Sequence, residues 1–307
     1  MYDLIIIGGG PAGLAAAIYA IRKRLEVLII SRDLGGKTNY RLQLPYLDEH
    51  LIINGEEIVN SFASEIRYLY FARVLEKAET VQAIAGGYRV TTSNGKAYNS
   101  QTLIVATGTE PRYLNIPGER EYFMRGVCFS SISYAQLFVD RTAIIVGDSR
   151  LALLAARELA IIARQVILIP LTRGELDTPL GQRLQSANNV RILSGWQPQT
   201  VKGDYYARSL VIAKDGKTQE IEAEGIFVEL GLDPNSGIVA DLVALDEAER
   251  IQVDAYNRTS TPGIFAAGDV TNTYAEQVLV ALGEGAKAAL AAHEYLLDQP
   301  FEREILD

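Results

Sequence analysis

The segment GGGPAG, residues 8–13, constrains the fold of this chain more than any other feature. It follows the apolar run YDLIII of residues 2–7 and leads into LAAAIYAIRKR, where small and apolar residues recur at helical spacing. This order predicts a buried strand, a tight turn and a helix. The next segment, LEVLIIS, reads as a second buried strand and completes a βαβ unit of about thirty residues. The pattern predicts a dinucleotide-binding unit at the start of the chain.

The glycines of this turn have different steric tasks. Gly8 permits the turn, Gly10 lets backbone N–H groups approach a diphosphate, and Gly13 lets the helix lie close to the strand. The helix entered through Pro11 and Ala12 then directs its amino terminus at the phosphate charge. We therefore predict that these five residues contact the cofactor.

The end of the second strand departs from the usual pattern. An Asp or Glu is expected there for the ribose hydroxyls, but the position holds Ser31, followed by Arg32. We expect a ribose contact that is shifted to these two residues.

Composition bounds the remaining possibilities. The 307 residues are 48% apolar and suggest two domains. A net charge of −9 disfavours binding to nucleic acid, which requires a surplus of Lys and Arg. No apolar run approaches the roughly 20 residues of a membrane helix. With one cysteine, two histidines 243 residues apart and no leader-like segment, we expect a cytoplasmic protein without a disulfide or a metal site.

Two later segments also end a strand on a glycine. TLIVATGTEPR, residues 102–112, closes on the ATG of residues 106–108. PGIFAAGDVTNTYAEQVLVALGEG, residues 262–285, ends a buried strand at Gly268 and Asp269 and continues into a helix rich in small residues. An acidic side chain at such a strand end can hold the ribityl hydroxyls and the phosphate of a flavin.

These motifs resemble the low-molecular-weight thioredoxin reductases over almost the whole chain, because the RGV of residues 125–127 and the ELGLDPN of residues 229–235 also have counterparts in that family. The resemblance implies an α/β fold with two Rossmann-like, three-layer nucleotide-binding domains. It implies a discontinuous FAD-binding domain, residues 1–114 plus 244–307, with an inserted NAD(P)-type domain, residues 115–243. FAD is the expected cofactor, and a homodimer is the expected assembly.

The resemblance, together with the motifs above, gives a set of expected FAD contacts. They are Gly8, Gly10, Pro11, Ala12, Gly13, Ser31, Arg32, Gly36, Lys37, Ala106, Thr107, Gly108, Gly268, Asp269, Glu276, Gln277 and Val278. Lys37 replaces a usual Gln in the loop beside the flavin. Two interpretations stay open for it: a cation that stabilises the anionic reduced flavin, or a surface lysine.

The segment GVCFSSISYAQ, residues 126–136, holds the largest departure from the family. The resemblance places a Cys-x-x-Cys-Asp sequence here, with two redox cysteines and an acid, whereas this chain has Ser130, Ser133 and Tyr134. A serine hydroxyl is too weakly acidic to replace a thiolate, so reduction of disulfides by an internal pair is excluded. Cys128 and Tyr134 remain candidate catalytic residues, with a buried thiol and a packing tyrosine as the alternatives.

A second βαβ pattern spans residues 141–169, but its phosphate turn is altered. It reads Gly147-x-Ser149-x-x-Ala152, where Ser149 would crowd a diphosphate; a loop two residues shorter is another alignment. The family's arginine cluster for NADPH is replaced by Pro170, Leu171, Thr172 and Leu176, with Arg173 the only nearby cation. We expect impaired NADPH binding.

Three functions remain. The first is an FAD-dependent oxidoreductase that takes electrons from a donor other than NADPH, for example the one-electron carrier ferredoxin, and passes them to an unknown acceptor. The second is a flavoenzyme like the ferredoxin/flavodoxin–NAD(P) reductases, in which Phe301 would reach a partner's flavin. The third is a non-enzymatic flavin-binding redox sensor.

Overall fold

The structure is a computed structural model that describes residues 1–45, 55–147, 149–172 and 174–299. It divides into two compact units. The first comprises Met1–Asn39, Ile52–Glu110 and Asp233–Asp307, and the second comprises Tyr40–Leu51 and Pro111–Leu232. The domain limits inferred from the resemblance, 1–114 plus 244–307 and 115–243, stay a prediction about which segments bind which cofactor.

The first unit is built around one twisted sheet. Its strands in the described ranges are β1 (Tyr2–Ile7), β2 (Val27–Ile30), β3 (Arg73–Val74), β4 (Ala78–Ile84), β5 (Gly87–Thr92), β6 (Ala97–Val105) and, later in the chain, β17 (Ile264–Ala266). The order across the sheet is β3-β2-β1-β6-β5-β4, and β17 also pairs with β6. Strands β3, β2, β1, β6 and β17 are parallel, whereas β4 and β5 form an antiparallel extension.

Both faces of this sheet are buried, as expected for parallel strands covered on each side. Leu4 and Ile6 of β1 face a core shared with the helices α1 (Pro11–Arg22), α2 (Glu56–Tyr68) and α6 (Val278–Leu297). The alternate side chains of β1 face a second core on the other side of the sheet. The period of two along a strand explains why every residue from 4 to 7 is apolar.

The second unit is a three-layer arrangement around a parallel sheet. Its elements in the described ranges are β8 (Val127–Cys128), α3 (Ser131–Tyr134), β9 (Thr142–Gly147), α4 (Arg150–Ile162), β10 (Gln165–Pro170), α5 (Pro179–Gln185), β11 (Val190–Ile192), β12 (Gln197–Gly203), β13 (Ala207–Lys214), β14 (Lys217–Glu222) and β15 (Gly225–Glu229). The parallel sheet has the order β11-β10-β9-β15-β8, and β12-β13-β14 form an antiparallel sheet. Two short strands, β7 (Thr109–Pro111) and β16 (Leu232–Pro234), pair with each other.

The core of the second unit again lies on both sides of the parallel sheet. Ile145 and Phe227 pack with the inner face of α4. Ile144 and Val146 pack with Leu210 and other apolar residues of the antiparallel sheet. Among the described residues, no helix is both long enough and apolar enough to cross a lipid bilayer.

Helix α6 lies against α1 with almost no room between their backbones. A Cβ atom built on Gly285 would stand 2.0 Å from the carbonyl oxygen of Ala12, whereas one built on Gly283 meets nothing within 4 Å. Gly285 therefore sets the distance between the two helices, since any side chain there would collide with the α1 backbone.

This contrast gives a matched pair of substitutions. Gly285→Ala should lower the free energy of unfolding by about 2–3 kcal/mol, because the helices must separate. Gly283→Ala, on the same helix, should leave stability unchanged or raise it by up to about 1 kcal/mol, because alanine favours a helix. Urea denaturation followed by circular dichroism measures both. Equal effects of the two substitutions would contradict the packing argument.

Candidate functional site

The first glycine turn brings the chain sharply from β1 into α1. Gly8 has φ of +113°, and a Cβ atom there would stand 2.1 Å from the carbonyl oxygen of Ala106. A Cβ on Gly13 would stand 1.9 Å from the carbonyl oxygen of Gly8. At Gly10, by contrast, a Cβ would meet nothing within 4 Å. The first and third positions thus require glycine for packing, and the middle one borders open space.

The amino terminus of α1 is open to a ligand. Gly10 is its N-cap residue and supplies no side-chain hydrogen bond, and Pro11 occupies the first turn. Because the first N–H groups of a helix have no partner within the helix, and its dipole favours negative charge there, this end suits an anion. The residues present fit the diphosphate of a dinucleotide.

Ser31 and Arg32 are already engaged in contacts within the chain. The Ser31 hydroxyl oxygen accepts a hydrogen bond from the backbone N–H of Gly9, at 2.8 Å, and so braces the turn. Arg32 lies 3.5 Å from the carboxylate of Glu110 in an exposed ion pair. The predicted ribose contact at these residues stays a prediction.

Lys37 lies within the predicted cofactor site and has two close partners there. Its ammonium group is 2.6 Å from a carboxylate oxygen of Asp269 and donates to the hydroxyl oxygen of Thr109 at 2.8 Å. The preceding residue, Gly36, lies against the glycine turn, since its Cβ would stand 3.1 Å from the Cα of Gly10. These contacts favour an electrostatic role in the site over that of a surface lysine.

The ATG segment is held by an asparagine that the sequence motifs did not single out. The Thr107 hydroxyl donates to the carbonyl oxygen of Asn235 at 2.8 Å, and the Asn235 amide donates to the carbonyl oxygen of Thr107 at 3.0 Å. The backbone N–H of Asn235 also donates to the carbonyl oxygen of Gly108. The ELGLDPN string contained this residue, but no spacing rule connects positions 128 residues apart.

The loop between β17 and α6 is also fixed by a residue that the sequence did not reveal. Arg250 forms an ion pair with Glu276 and donates to the backbone carbonyl of Asp269 at 2.9 Å. Gln277 is the N-cap residue of α6 and makes no side-chain capping bond, and Val278 begins the helix. Glu276 is therefore engaged with Arg250, and the loop presents Asp269 in a fixed position.

The predicted residues of the first unit mostly converge on one edge of its sheet. Strands β1, β6 and β17 are parallel and neighbouring, so their carboxyl ends lie together. The glycine turn follows β1, the ATG segment follows β6, and Gly268 with Asp269 follows β17. Lys37 joins this edge through its ion pair. The arrangement is able to hold a dinucleotide by its phosphates and hydroxyls.

The second glycine turn has a different helix end. Ser149 is the N-cap residue of α4, and its hydroxyl oxygen accepts a hydrogen bond from the backbone N–H of Leu151 at 3.3 Å. Gly147 retains close packing, since its Cβ would stand 2.4 Å from the Cβ of Ala152. The strand fold therefore persists, while a side chain of the protein caps the helix end that would face a phosphate. Arg173 and Phe301 lie outside the described residues.

Comparisons with known proteins identify the family. Residues 2–285 match the family described as pyridine nucleotide-disulphide oxidoreductase. The chain belongs to this family. It is 34% identical over 304 residues to alkyl hydroperoxide reductase F of Pseudomonas aeruginosa, a match that covers 96% of this chain and 58% of that protein. Alkyl hydroperoxide reductase F of Staphylococcus aureus is also 34% identical, over 300 residues, covering 96% and 59%. The chain thus spans less than two thirds of the length of these relatives.

Solved structures give the same result for the fold. The thioredoxin reductase of Streptococcus pyogenes superposes with a TM-score of 0.86 at 29% identity, covering 97% of this chain and 99% of that one. The thioredoxin reductase of Giardia duodenalis gives a TM-score of 0.82 at 25% identity, covering 96% and 99%. The predicted fold class and the predicted likeness to the thioredoxin reductase type of FAD oxidoreductase are both confirmed at the level of the family.

This member of the pyridine nucleotide-disulphide oxidoreductase family has hydroxyls where the thioredoxin reductases carry a dithiol. The Ser130 hydroxyl donates to that of Ser133 at 2.9 Å, and its oxygen also caps α3 by accepting from the Ser133 N–H. The Tyr134 hydroxyl donates to the backbone carbonyl of Tyr40 at 3.1 Å. The two serines form a hydrogen-bonded pair, and the tyrosine has a packing contact.

Cys128 has the environment of a structural thiol. It lies in β8 and is fully buried beside residues such as Phe138 and Phe227. Burial raises its pKa well above the ordinary value, with a further contribution from the nearby carboxyl of Glu229. A thiol that does not ionise is a poor nucleophile, so this environment favours the alternative of a buried thiol over a catalytic cysteine.

Glu229 is a buried carboxyl group that the sequence motifs did not single out. It ends β15, and one carboxylate oxygen accepts a hydrogen bond from the backbone N–H of Ser131 at 2.8 Å. Burial raises its pKa, although the hydrogen bonds from Ser131 oppose the shift. An acidic residue at the end of a buried apolar strand was the available signal in the sequence.

The raised pKa of Glu229 predicts a pH dependence of stability. Between its ordinary pKa and the raised value, the folded state binds more protons than the unfolded state, so stability falls as pH rises. Glu229→Gln keeps an acceptor for Ser131 but cannot ionise. Its free energy of unfolding relative to wild type should therefore increase from about pH 4 to about pH 8. Urea titrations at several pH values measure this difference, and parallel profiles would exclude a raised pKa.

Proposed function

We propose that the first unit binds FAD and that the chain is an FAD-dependent oxidoreductase whose electrons come from a donor other than NADPH. The observation that carries the proposal is the contrast between two equivalent helix ends. The amino terminus of α1 has a glycine cap without a side-chain bond, whereas the amino terminus of α4 is capped by its own Ser149. One nucleotide position is open to a diphosphate, and the other is closed by the protein.

The residues of the first unit fit each part of FAD. The amino terminus of α1 would bind the diphosphate, and the Asp269 carboxylate would accept hydrogen bonds from ribityl hydroxyls. The ATG segment, fixed by Asn235, would form the wall of the site on the β6 side. FAD supplies one- and two-electron redox chemistry when bound, while the protein positions it and tunes its potential.

The second unit supports an electron donor other than NADPH. The 2′-phosphate of that nucleotide requires a cluster of cations, and the described residues at the end of β10 are Pro170, Leu171 and Thr172. Leu176, a further position of the expected cluster, is a buried apolar side chain. A one-electron carrier protein such as ferredoxin would need no nucleotide site, because it delivers electrons directly to the flavin.

The exit of electrons must also differ from that of a thioredoxin reductase. With Ser130 and Ser133 in place of cysteines, no thiol pair accepts electrons within this chain. We therefore propose that the acceptor takes electrons directly from the flavin. The relatives named alkyl hydroperoxide reductase F support an oxidised acceptor of the peroxide or disulfide type, reached through another protein.

The proposed partners follow from charge and resemblance. We propose a homodimer that binds neither nucleic acid nor membranes and works in the cytoplasm. The net charge of −9 supports the absence of nucleic acid binding. An acidic ferredoxin would require a local basic surface on this acidic chain.

An anaerobic titration tests the electron donor. The purified flavoprotein is mixed with NADPH, NADH or reduced ferredoxin while the flavin absorbance is followed. We expect reduced ferredoxin to bleach the flavin at a rate at least about 100-fold greater than NADPH does, because the second nucleotide position is closed and lacks the cations that the 2′-phosphate requires. Bleaching by NADPH as fast as by ferredoxin would overturn the proposed donor, and a chain that binds no FAD would overturn the proposed function.

A double substitution tests whether the second unit retains the geometry of a dithiol site. Because the hydroxyl oxygens of Ser130 and Ser133 are 2.9 Å apart, thiols at these positions should come within bonding distance. Ser130→Cys with Ser133→Cys should form an intramolecular disulfide on mild oxidation, which a count of free thiols in the denatured protein measures. Ser130→Cys alone is the control and should keep two free thiols. Failure of the double variant to oxidise would show that the geometry has been lost.

A further inference from the structure

Lys37 stands out because its ammonium group contacts two residues of the proposed FAD site. It is 2.6 Å from the Asp269 carboxylate and 2.8 Å from the Thr109 hydroxyl. The Asp269 side chain is only 14% exposed, so its charge is poorly screened by water. An ammonium group has three N–H donors, and these two contacts occupy two of them.

The neighbouring backbone places this ion pair beside the amino terminus of α1. Gly36, next to Lys37, lies against Gly10, with 3.1 Å between its Cβ position and the Gly10 Cα. Gly268, next to Asp269, lies against Ala12, with 3.0 Å from its Cβ position to the Ala12 Cβ. Both partners of the pair are therefore anchored to the first turn of the helix that would receive the diphosphate.

The charges in this region explain why a cation is needed there. A diphosphate is an anion, and the largely buried Asp269 carboxylate would repel it at short range. Arg250 does not offset that charge directly, because its hydrogen bond goes to the backbone carbonyl of Asp269 and its ion pair to Glu276. Among the described residues, Lys37 is the cation that forms a salt bridge with Asp269.

We propose that Lys37 is the residue that makes this site selective for a flavin carrying a diphosphate. Its ammonium neutralises Asp269, so that the carboxylate can accept hydroxyl groups while the amino terminus of α1 accepts phosphate. Lys37 thus discriminates FAD from FMN and riboflavin by charge compensation. This inference rests on the proposed binding of FAD by the first unit.

The test compares three flavins on the apoprotein of the whole chain. Lys37→Met should weaken FAD binding by about 10- to 100-fold, the range expected for removal of a charge-assisted contact. Riboflavin, which has no phosphate, should bind the variant and the wild type equally, with FMN intermediate. Isothermal titration calorimetry measures each affinity. Lys37→Arg, which keeps the charge, should retain most of the FAD affinity, and Lys23→Met at the other end of α1 should retain all of it.

A second substitution isolates the electrostatic cause. Asp269→Asn added to Lys37→Met removes the uncompensated carboxylate but keeps a hydrogen-bonding side chain, so FAD affinity should partly recover. The FAD affinity of wild type should also fall more steeply with salt than that of Lys37→Met. Circular dichroism confirms that each variant is folded.

The outcomes separate this inference from the function on which it rests. If wild type binds no FAD, the proposed function fails. If wild type binds FAD and Lys37→Met loses affinity equally for FAD and riboflavin, or for neither, the proposed selectivity is wrong. If Lys37→Met leaves both affinities unchanged but lowers the midpoint potential of the bound flavin, Lys37 acts on the isoalloxazine instead, and the inference is overturned.

Discussion

The close approach of α1 to the backbone around it is the constraint on which the first unit depends. Side chains are excluded at Gly8, Gly13 and Gly285, where a Cβ atom would collide with a carbonyl oxygen at 2.1, 1.9 and 2.0 Å. Because the helix is held this close to β1, β6 and α6, its amino terminus is fixed at the carboxyl edge of the sheet. The open space at Gly10 then becomes a defined position for an anion. Packing and binding are consequences of the same glycines.

The two βαβ units show how one fold gives two different chemical surfaces. Both keep a glycine at the end of the first strand and a helix packed closely on it. They differ at one position in the turn, where Gly10 leaves the helix end open and Ser149 caps it. A serine cap stabilises a helix by satisfying the same N–H groups that would otherwise bind phosphate. Stability of α4 has therefore been gained at the position where a nucleotide would bind.

A second balance of charge operates at the edge of the first sheet. Asp269 brings a carboxylate to a position that also has to accept phosphate, and the ion pair with Lys37 offsets that charge. Arg250 fixes the same loop through its backbone and through Glu276. The two cations have separate tasks, since one holds the loop and the other compensates the carboxylate. In the second unit, no comparable cation contacts Glu229 among the described residues, and its pKa is raised instead.

The sequence by itself determined the fold class, the first glycine turn and the loss of the dithiol, because each depends on residues close together in the chain. The spacing of Gly8, Gly10 and Gly13 and the serines at 130 and 133 can be read directly. Only the tertiary structure decided how distant residues meet: that Lys37 pairs with Asp269, that Asn235 holds Thr107, and that Cys128 and Glu229 are buried together. These contacts join positions far apart in the chain, and whether a side chain is buried, paired or exposed depends on the packing of several elements at once.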